Sequence, residues 1–299
     1  MRIDDEMIDR FLTSLTVSEK SRSTYRVGVR VLGKYLTTNE ITEPNEDDLL
    51  DWLEVLETLT NKATQNLYLV SIRKFFQWTE LEGLYPNIAN HLKGAKLDRD
   101  HKKDYLTAAQ VSDIIANMDT DTVKGKRDKA LFLLMVTGGL RTIEVSRANV
   151  EDLRTLGGYS VLYIQGKGHT EKAEFIKVSA KTEKAIREYL NARKAKDDEP
   201  LFASTANRNK GGRIAAAMIS TEIKAILKSN GFDSDRLTAH SLRHTAVTLA
   251  LQSGCEFAEV QQFAHHQWAN STAIYYHHKR YTDDNTECPN AVDKLIKAR

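Results

Sequence analysis

We expect the stretch ALFLLMVTGGLRTIEV, residues 130–145, to lie at the centre of a hydrophobic core. Its first part, Ala130 to Val136, is almost wholly apolar, which is typical of a helix that is buried on every side. Gly138 and Gly139 follow at once, and glycine often ends helices because it tolerates a left-handed backbone. The stretch therefore predicts a central helix that stops at this pair of glycines.

A charged pair comes directly after the glycines. Arg141 follows the turn, and Glu144 lies three residues later. Residues three apart are neighbours on a helical turn, so the carboxylate can hold the guanidinium group in one orientation. Alone, such a pair would be an ordinary surface contact, and its meaning depends on the motifs described below.

Helical periodicity fills the region before this centre. Four amphipathic segments precede residue 90, and their apolar residues recur at helical spacing. These residues are Met7, Ile8, Phe11 and Leu15; Tyr25, Val29, Leu32 and Leu36; Leu49, Trp52, Leu53 and Leu56; and Leu69, Ile72 and Phe76. A polar stretch without period follows them. The sequence therefore predicts a helical bundle at 1–90, a linker at 91–105 and a second domain at 106–299.

The region after the linker mixes helices with a small sheet. Thr107 and Gln110 form a capping box at the start of a helix. Strand-like runs at 161–164 and 175–178 flank a Gly-Lys-Gly turn, and a third strand is expected near 151–154. Further helices are expected at 181–195, 217–229, 239–253, 257–264, about 271–279 and after Pro289. The fold class is mainly α: a helical bundle plus an α+β domain with a small antiparallel sheet.

Composition excludes several classes of protein. The 299 residues suit two domains, and 41% hydrophobic with 28% charged residues is typical of a globular chain. No apolar run approaches the roughly 18–20 residues that span a bilayer, and the first residues lack a signal peptide. We therefore expect a cytoplasmic protein without a membrane partner. Cys255 and Cys288 are the only cysteines, which excludes a disulfide framework and a four-cysteine zinc site.

Charge is distributed unevenly along the chain. Residues 1–100 hold 13 basic and 17 acidic residues, a net charge of −4. The other 199 residues hold 30 basic and 24 acidic residues, a net charge of +6. A basic second part permits a polyanionic partner, although solvated cationic faces are common in proteins.

Four cations recur every four residues on the second predicted helix, which places them along one side. No acid lies between residues 20 and 39, and like charges at this spacing repel one another. Phosphates could supply the compensation, so the stripe is either a DNA-facing surface or a solubilising one. We name these residues the basic stripe: Arg22, Arg26, Arg30 and Lys34.

The segment AHSLRHT, residues 239–245, combines a histidine imidazole with the guanidinium group of an arginine. His240 and Arg243 lie three apart and share one side of a helix, a pair better suited to binding an oxyanion than to filling a core. His240 and His244 also have the spacing of a zinc-binding helix. Ser241, however, stands where the glutamate base of such a helix belongs, so no metal site is predicted.

A third cluster, FAHHQWANSTAIYYHH at 263–278, is predicted to form a helix–loop–helix rich in imidazole and phenol groups. Together the three motifs resemble those of the tyrosine recombinase family, also called the phage integrase family, and in particular its compact Xer-type members. The likeness covers essentially the whole chain. It implies that the N-terminal bundle is similar to the core-binding domain of the family, and the second domain to its catalytic domain.

The resemblance implies a role for each matching residue. The catalytic residues are Arg141, Lys167, His240, Arg243, His266 and Tyr275, with Glu144 as the acidic companion of the first arginine. The chain departs from the family pattern at 264–266, where it has Ala-His-His instead of Leu-Gly-His. His266 is assigned because it lies nine residues before Tyr275. Tyr276 is the alternative nucleophile, and Lys172 is the alternative lysine.

The chemistry that the resemblance implies needs no metal and no cofactor. Arginine forks hold the phosphate oxygens, and the tyrosine keeps the cleaved strand as a 3′-phosphotyrosyl intermediate. The expected function is site-specific DNA recombination, that is integration, excision or resolution, by a homotetramer on a double-stranded recombination site. An accessory protein or a second recombinase could share the complex. The alternatives are a type IB topoisomerase and a catalytically silent DNA-binding protein of the same fold.

Two further expectations concern the ends of the chain. The length leaves no room for an arm-binding domain ahead of residue 1, as in compact integrases. The helix expected after Pro289 is too short to persist alone in water, so it must dock. Its docking site is either its own domain or the next protomer of a ring.

Overall fold

The computed structural model describes residues 1–97, 104–166 and 171–264. The chain divides into two compact units, Met1–Asp100 and His101–Arg299. Each unit has a hydrophobic core of its own.

Four helices make up the described part of the first unit: α1 (Asp5–Ser14), α2 (Glu19–Thr38), α3 (Glu46–Leu59) and α4 (Lys62–Leu81). Each helix begins at a polar residue whose side chain accepts a hydrogen bond from a backbone N–H in the first turn. These capping residues are Asp4, Ser18, Asn45 and Asn61. The predicted helical bundle is confirmed.

The apolar faces of these helices meet in one core. Phe11, Trp52 and Phe75 are at most 1% exposed, and the rings of Phe11 and Phe75 meet edge to face at 5.4 Å. Helices α2 and α4 approach closely at Gly28, where an added Cβ would lie 2.8 Å from the Cβ of Ser71. This close packing fixes α2, the helix that carries the basic stripe.

The predicted linker is attached at both of its described ends. Leu92 lies in the first core, and its carbonyl accepts a hydrogen bond from Arg73. Asp104 pairs with Arg236 at 2.8 Å, and Leu106 is buried in the second core. The domain boundaries stay a prediction, and most of the described linker residues are exposed.

Seven helices and three strands make up the described part of the second unit. The helices are α5 (Ala108–Asn117), α6 (Val123–Gly138), α7 (Thr142–Arg147), α8 (Ala180–Arg193), α9 (Ala216–Ser229), α10 (Ala239–Gln252) and α11 (Phe257–Phe263). The strands are β1 (Leu153–Leu156), β2 (Tyr159–Ile164) and β3 (Glu174–Lys177). The mainly α fold class with a small sheet is confirmed.

The strands form one antiparallel sheet in the order β1-β2-β3. Leu162 lies opposite Leu153 on one side and Ile176 on the other, so one face of the sheet packs against the core. The predicted hairpin is confirmed. The third strand begins two residues later than predicted, because Val150–Asp152 forms a turn of 3-10 helix.

Helix α6 is the central element of this unit. Its residues from Leu131 to Val136 are each at most 4% exposed, and it ends at Gly139, whose φ of 62° is left-handed. A Cβ on Gly138 would lie 2.7 Å from Cδ1 of Ile176. The two glycines therefore let the end of α6 pack against the sheet, immediately before Arg141.

Several predictions fall outside the described residues. They concern Lys167, His266, Tyr275, the helix at about 271–279 and the helix after Pro289. Within 1–97, 104–166 and 171–264, no helix is long and apolar enough to cross a bilayer.

Candidate functional site

Glu144 holds Arg141 at two points. One carboxylate oxygen accepts a hydrogen bond from the backbone N–H of Arg141, and the other from its Nη1, both at 2.7 Å. Glu144 is 1% exposed, whereas the side chain of Arg141 is 31% exposed. The predicted pair is therefore a buried anchor with a cation that reaches the surface. It is not an ordinary surface contact.

The far end of α7 is held by a residue that the sequence did not indicate. Arg213 donates through Nη1 to the carbonyls of Ser146, at 2.7 Å, and Ala148, at 3.0 Å. The Ser146 hydroxyl donates in turn to the carbonyl of Ile214 at 2.7 Å. Terminal carbonyls of a helix lack partners within the helix, so these bonds stabilise a helix of only six residues. Arg141 is thus carried on a short element that is clamped at both ends.

Arg243 is buried, which differs from the expectation that a cationic fork is poor core material. It is 2% exposed. Its Nη1 donates to the carbonyl of Gly139 at 2.7 Å, and its Nη2 donates to the carbonyl of Ala264. Backbone carbonyls that would otherwise be buried without donors therefore compensate part of the cost of burying this charge.

These two bonds bring the three sequence motifs together. Gly139 lies two residues before Arg141, and Ala264 directly precedes the pair of histidines at 265–266. The ring of Phe263, at the end of α11, also lies 3.3 Å from the position of an added Cβ on Gly139. A single guanidinium group on α10 therefore ties the end of α6 to the end of α11.

His240 and Arg243 share one side of α10, but His240 is exposed to solvent and Arg243 is buried. The ring of His240 meets that of His244 at 5.3 Å with an angle of 77°, and His244 is 7% exposed. Among the residues that the structure describes, no group of three or more His, Cys, Asp or Glu side chains is placed to hold a metal ion.

Of the two candidate lysines, only Lys172 lies among the described residues. The buried Gly166, which directly precedes Lys167, accepts a hydrogen bond from Nη1 of Arg147 at 3.3 Å. Lys167 itself lies outside the described residues. Lys172 pairs with the buried carboxylate of Asp152 at 2.5 Å. Lys172 therefore has a structural partner in this conformation.

The basic stripe has counter-charges that its local sequence did not reveal. Arg26 contacts Asp9 at 2.5 Å, and Arg30 contacts Asp5 at 2.9 Å, both carboxylates being on α1. Arg22 donates to the carbonyl of Leu15 at 3.0 Å. Repulsion along the stripe is thus relieved within the bundle, and phosphates are not needed to explain it. DNA binding by the stripe stays a prediction.

A buried charge network, also missed from the sequence, supports the start of α6. Arg127 is 1% exposed and pairs with Asp128 at 2.7 Å and with Glu222 at 2.9 Å. Lys124 contacts the same two carboxylates at 2.6 and 3.0 Å. Burial raises the pKa of Glu222, but pairing with Lys124 and Arg127 outweighs it and leaves that pKa below its usual value. The network links α6 to α9 and has no counterpart among the predicted site residues.

Two family models match the chain. Residues 104–281 match the model described as the phage integrase family, and residues 8–83 match the phage integrase, N-terminal SAM-like domain. The first match alone covers more than half of the sequence.

Curated relatives have the same relationship. Tyrosine recombinase XerA of Pyrococcus furiosus is 28% identical over 295 residues, which cover 97% of this chain and 96% of the relative. Tyrosine recombinase XerC of Corynebacterium glutamicum is 28% identical over 246 residues, covering 81% of this chain and 76% of the relative.

Solved structures share the fold. The XerH site-specific recombinase, bound to its difH substrate in a pre-cleavage complex, superposes with a TM-score of 0.72 at 22% identity, covering 90% of this chain and 92% of that one. A lambda integrase tetramer bound to a Holliday junction superposes with a TM-score of 0.69 at 16% identity, covering 90% and 76% of the two chains.

Proposed function

The chain belongs to the phage integrase family and is a site-specific tyrosine recombinase; from this premise we propose which residues cut and rejoin the DNA. Tyr275 is the nucleophile, Arg141 and Arg243 bind the scissile phosphate, and Lys167, His240 and His266 complete the site. Glu144 orients Arg141. The type IB topoisomerase and the silent DNA-binding protein gain no support from the relatives.

The observation that carries this proposal is the pair of bonds from Arg243 to Gly139 and Ala264. They link the backbone beside Arg141 to the backbone beside His265 and His266. Two fixed guanidinium groups can neutralise the nonbridging oxygens of a phosphodiester as negative charge develops there. Fixed donors need no reorganisation during the reaction, which is where their catalytic advantage arises.

The proposed reaction exchanges one phosphodiester bond for another. The Tyr275 oxygen attacks phosphorus and gives its proton to His240, while the bond from phosphorus to the 5′ oxygen breaks. Lys167 gives a proton to that leaving oxygen. A 5′ hydroxyl of another strand then attacks the phosphorus of the 3′-phosphotyrosyl ester and gives its proton to Lys167. The bond from phosphorus to the Tyr275 oxygen breaks, His240 returns a proton to that oxygen, and the strand is rejoined without ATP.

The choice of Lys167 over Lys172 is supported by the surroundings of the second lysine. An ammonium group that is paired with a buried carboxylate must break that pair before it can protonate a leaving group. Lys167 directly follows Gly166, whose carbonyl accepts a hydrogen bond from Arg147.

The proposed partner is a double-stranded recombination site, which the cations of both units help to bind. Assembly is proposed as a homotetramer, since a related lambda integrase is a tetramer on a Holliday junction. Residues 289–299 are proposed to join neighbouring protomers, and an accessory protein or a second recombinase can share the complex. We propose the cytoplasm as the location of the reaction.

The function is tested by trapping and sequencing DNA that is covalently attached to the protein in cells. The recovered sites should share one sequence, and purified protein should cleave that site in the presence of EDTA. Full cleavage without a metal is expected because arginines, rather than a cation, meet the phosphate charge. Random attachment sites would contradict site specificity, and an absolute need for Mg²⁺ would contradict the assigned phosphate ligands.

A further inference from the structure

The first unit pairs its stripe arginines with carboxylates that resemble phosphate in chemistry. Arg26 and Asp9 are 2.5 Å apart, and Arg30 reaches Asp5 through both Nε and Nη2 at 2.9 Å. Both carboxylates come from the acidic helix α1. They are 61% and 69% exposed, so a phosphate can approach them from solvent.

We propose that Asp9 and Asp5 compete with DNA phosphates for Arg26 and Arg30, and that they thereby limit the affinity of the chain for duplex DNA. The inference rests on the proposed DNA partner. It goes further by giving two acids of α1 a role in setting the strength of binding.

The chemistry of exchange supports this role. Carboxylate and phosphate oxygens are both good acceptors for the guanidinium fork, so each can replace the other. The arginine remains charged throughout, and the bond to the carboxylate is lost as the bond to the phosphate forms. Exposed ion pairs are weak, so a phosphate can displace the carboxylate. Each pair still contributes some free energy, and its loss reduces the net free energy gained from a phosphate contact.

The charge of the bundle points the same way. Residues 1–100 carry a net charge of −4, which opposes approach to DNA. A cationic stripe that is partly neutralised by its own helix would hold DNA loosely until other contacts form. Competition should also change the salt dependence of DNA binding. A carboxylate released from its arginine attracts cations from solution again, which lowers the net number of ions freed when DNA binds.

The decisive variant is Asp5→Asn combined with Asp9→Asn in the full-length chain. Asp4 still caps α1, so the helix keeps its start. Binding is measured by fluorescence anisotropy on a random-sequence duplex across a range of salt concentrations. We expect affinity to rise ~2- to 30-fold at low salt, and the slope of log K against log salt to steepen by up to about one unit per pair.

Two controls separate competition from general attraction. Glu54→Gln with Glu57→Gln removes the same charge from exposed positions on α3 and should raise affinity much less. Asp5→Asn with Asp9→Asn should produce little gain when Arg26 and Arg30 are already glutamine, because the competed cations are then missing. Thermal melts of each variant establish that it is folded, and the single Asp→Asn variants replace the double variant if that one is not.

Three results would overturn the inference: unchanged or weaker binding, an equal gain in the α3 control, or a gain that survives loss of the two arginines. Each would leave the proposed function standing, provided that the wild-type chain still forms a covalent adduct with DNA. A wild-type chain that neither binds duplex DNA nor forms an adduct would contradict both.

Discussion

Arginines of the two units are held in different ways. In the second unit, Arg141 is fixed by a carboxylate that is 1% exposed, and Arg243 by two backbone carbonyls while being 2% exposed itself. In the first unit, Arg26 and Arg30 are held by carboxylates that are more than half exposed. The same side chain therefore serves as a fixed group in one place and as an exchangeable one in the other.

The way in which each set of arginines is held determines what that set can contribute to the reaction. A fixed cation is already in position when charge develops on a phosphate, so its effect on rate is large. An exposed cation must leave a partner and lose a counterion, so its effect on affinity is small. We therefore expect the consequences of mutation to fall in the order of how firmly each cation is held.

Arg243→Ala should have the largest effect, because it removes a proposed phosphate ligand and the two hydrogen bonds through which Arg243 links Gly139 to Ala264. Formation of the covalent adduct should fall at least ~100-fold, the usual cost of losing one preorganised donor. Stability should fall by about 1–3 kcal/mol for the carbonyls left without a donor. Denaturing gels and chemical denaturation measure the two. Near-normal adduct formation would remove Arg243 from the site.

Glu144→Gln should have a smaller effect than Arg243→Ala. The amide retains the shape of the carboxylate but loses the charge-assisted bond to Arg141, which is worth about 1.5–3 kcal/mol. Cleavage should slow by ~10- to 100-fold while DNA affinity changes little, since other contacts to DNA persist. Glu199→Gln, which changes a partly exposed partner of Arg193, serves as the matched control and should cleave normally. Equal effects of the two changes would contradict the anchoring role of Glu144.

Lys167→Ala and Lys172→Ala should separate the two lysines by chemistry. Loss of the general acid is expected to cost ~100- to 10,000-fold on normal DNA. Replacing the 5′ leaving oxygen with sulfur should restore cleavage to Lys167→Ala, because a thiolate leaves without a proton. Lys172→Ala should lose stability through the unpaired Asp152 and show no selective rescue. Rescue confined to Lys172→Ala would reverse the assignment.

Arg26→Gln combined with Arg30→Gln should have the smallest effect. Binding to any duplex should weaken slightly, and the slope of log K against log salt should flatten by up to about one unit per lost phosphate contact. Cleavage at saturating protein should not change. A specific loss of the cognate site with normal random-sequence binding would show that these residues read bases instead.

Local patterns predicted most of the helices and the sheet because each depends on nearby residues. The glycines at 138–139, the capping residues and the strand alternation all act within a few positions of the chain. Family resemblance supplied the functional assignments. The role of Glu144 could also be predicted from its position three residues after Arg141.

Contacts between residues that lie far apart in the chain could not be predicted from one sequence. Arg213 meets Ser146 across 67 positions, and Asp5 meets Arg30 across 25, so no periodicity reveals either contact. The third strand was placed early because a 3-10 turn occupies Val150–Asp152, so that the strand begins only at Leu153. Burial of Arg243 was unexpected because its compensating groups are backbone carbonyls, which any sequence could provide.

Identification of the nucleophile tests the central claim most directly. Labelled cognate DNA, nicked near the cleavage position to trap the intermediate, is incubated with Tyr275→Phe, Tyr276→Phe and wild-type protein and resolved on denaturing gels. We expect a covalent adduct with wild type and Tyr276→Phe, and none with Tyr275→Phe. An adduct that survives in Tyr275→Phe and disappears in Tyr276→Phe would contradict it.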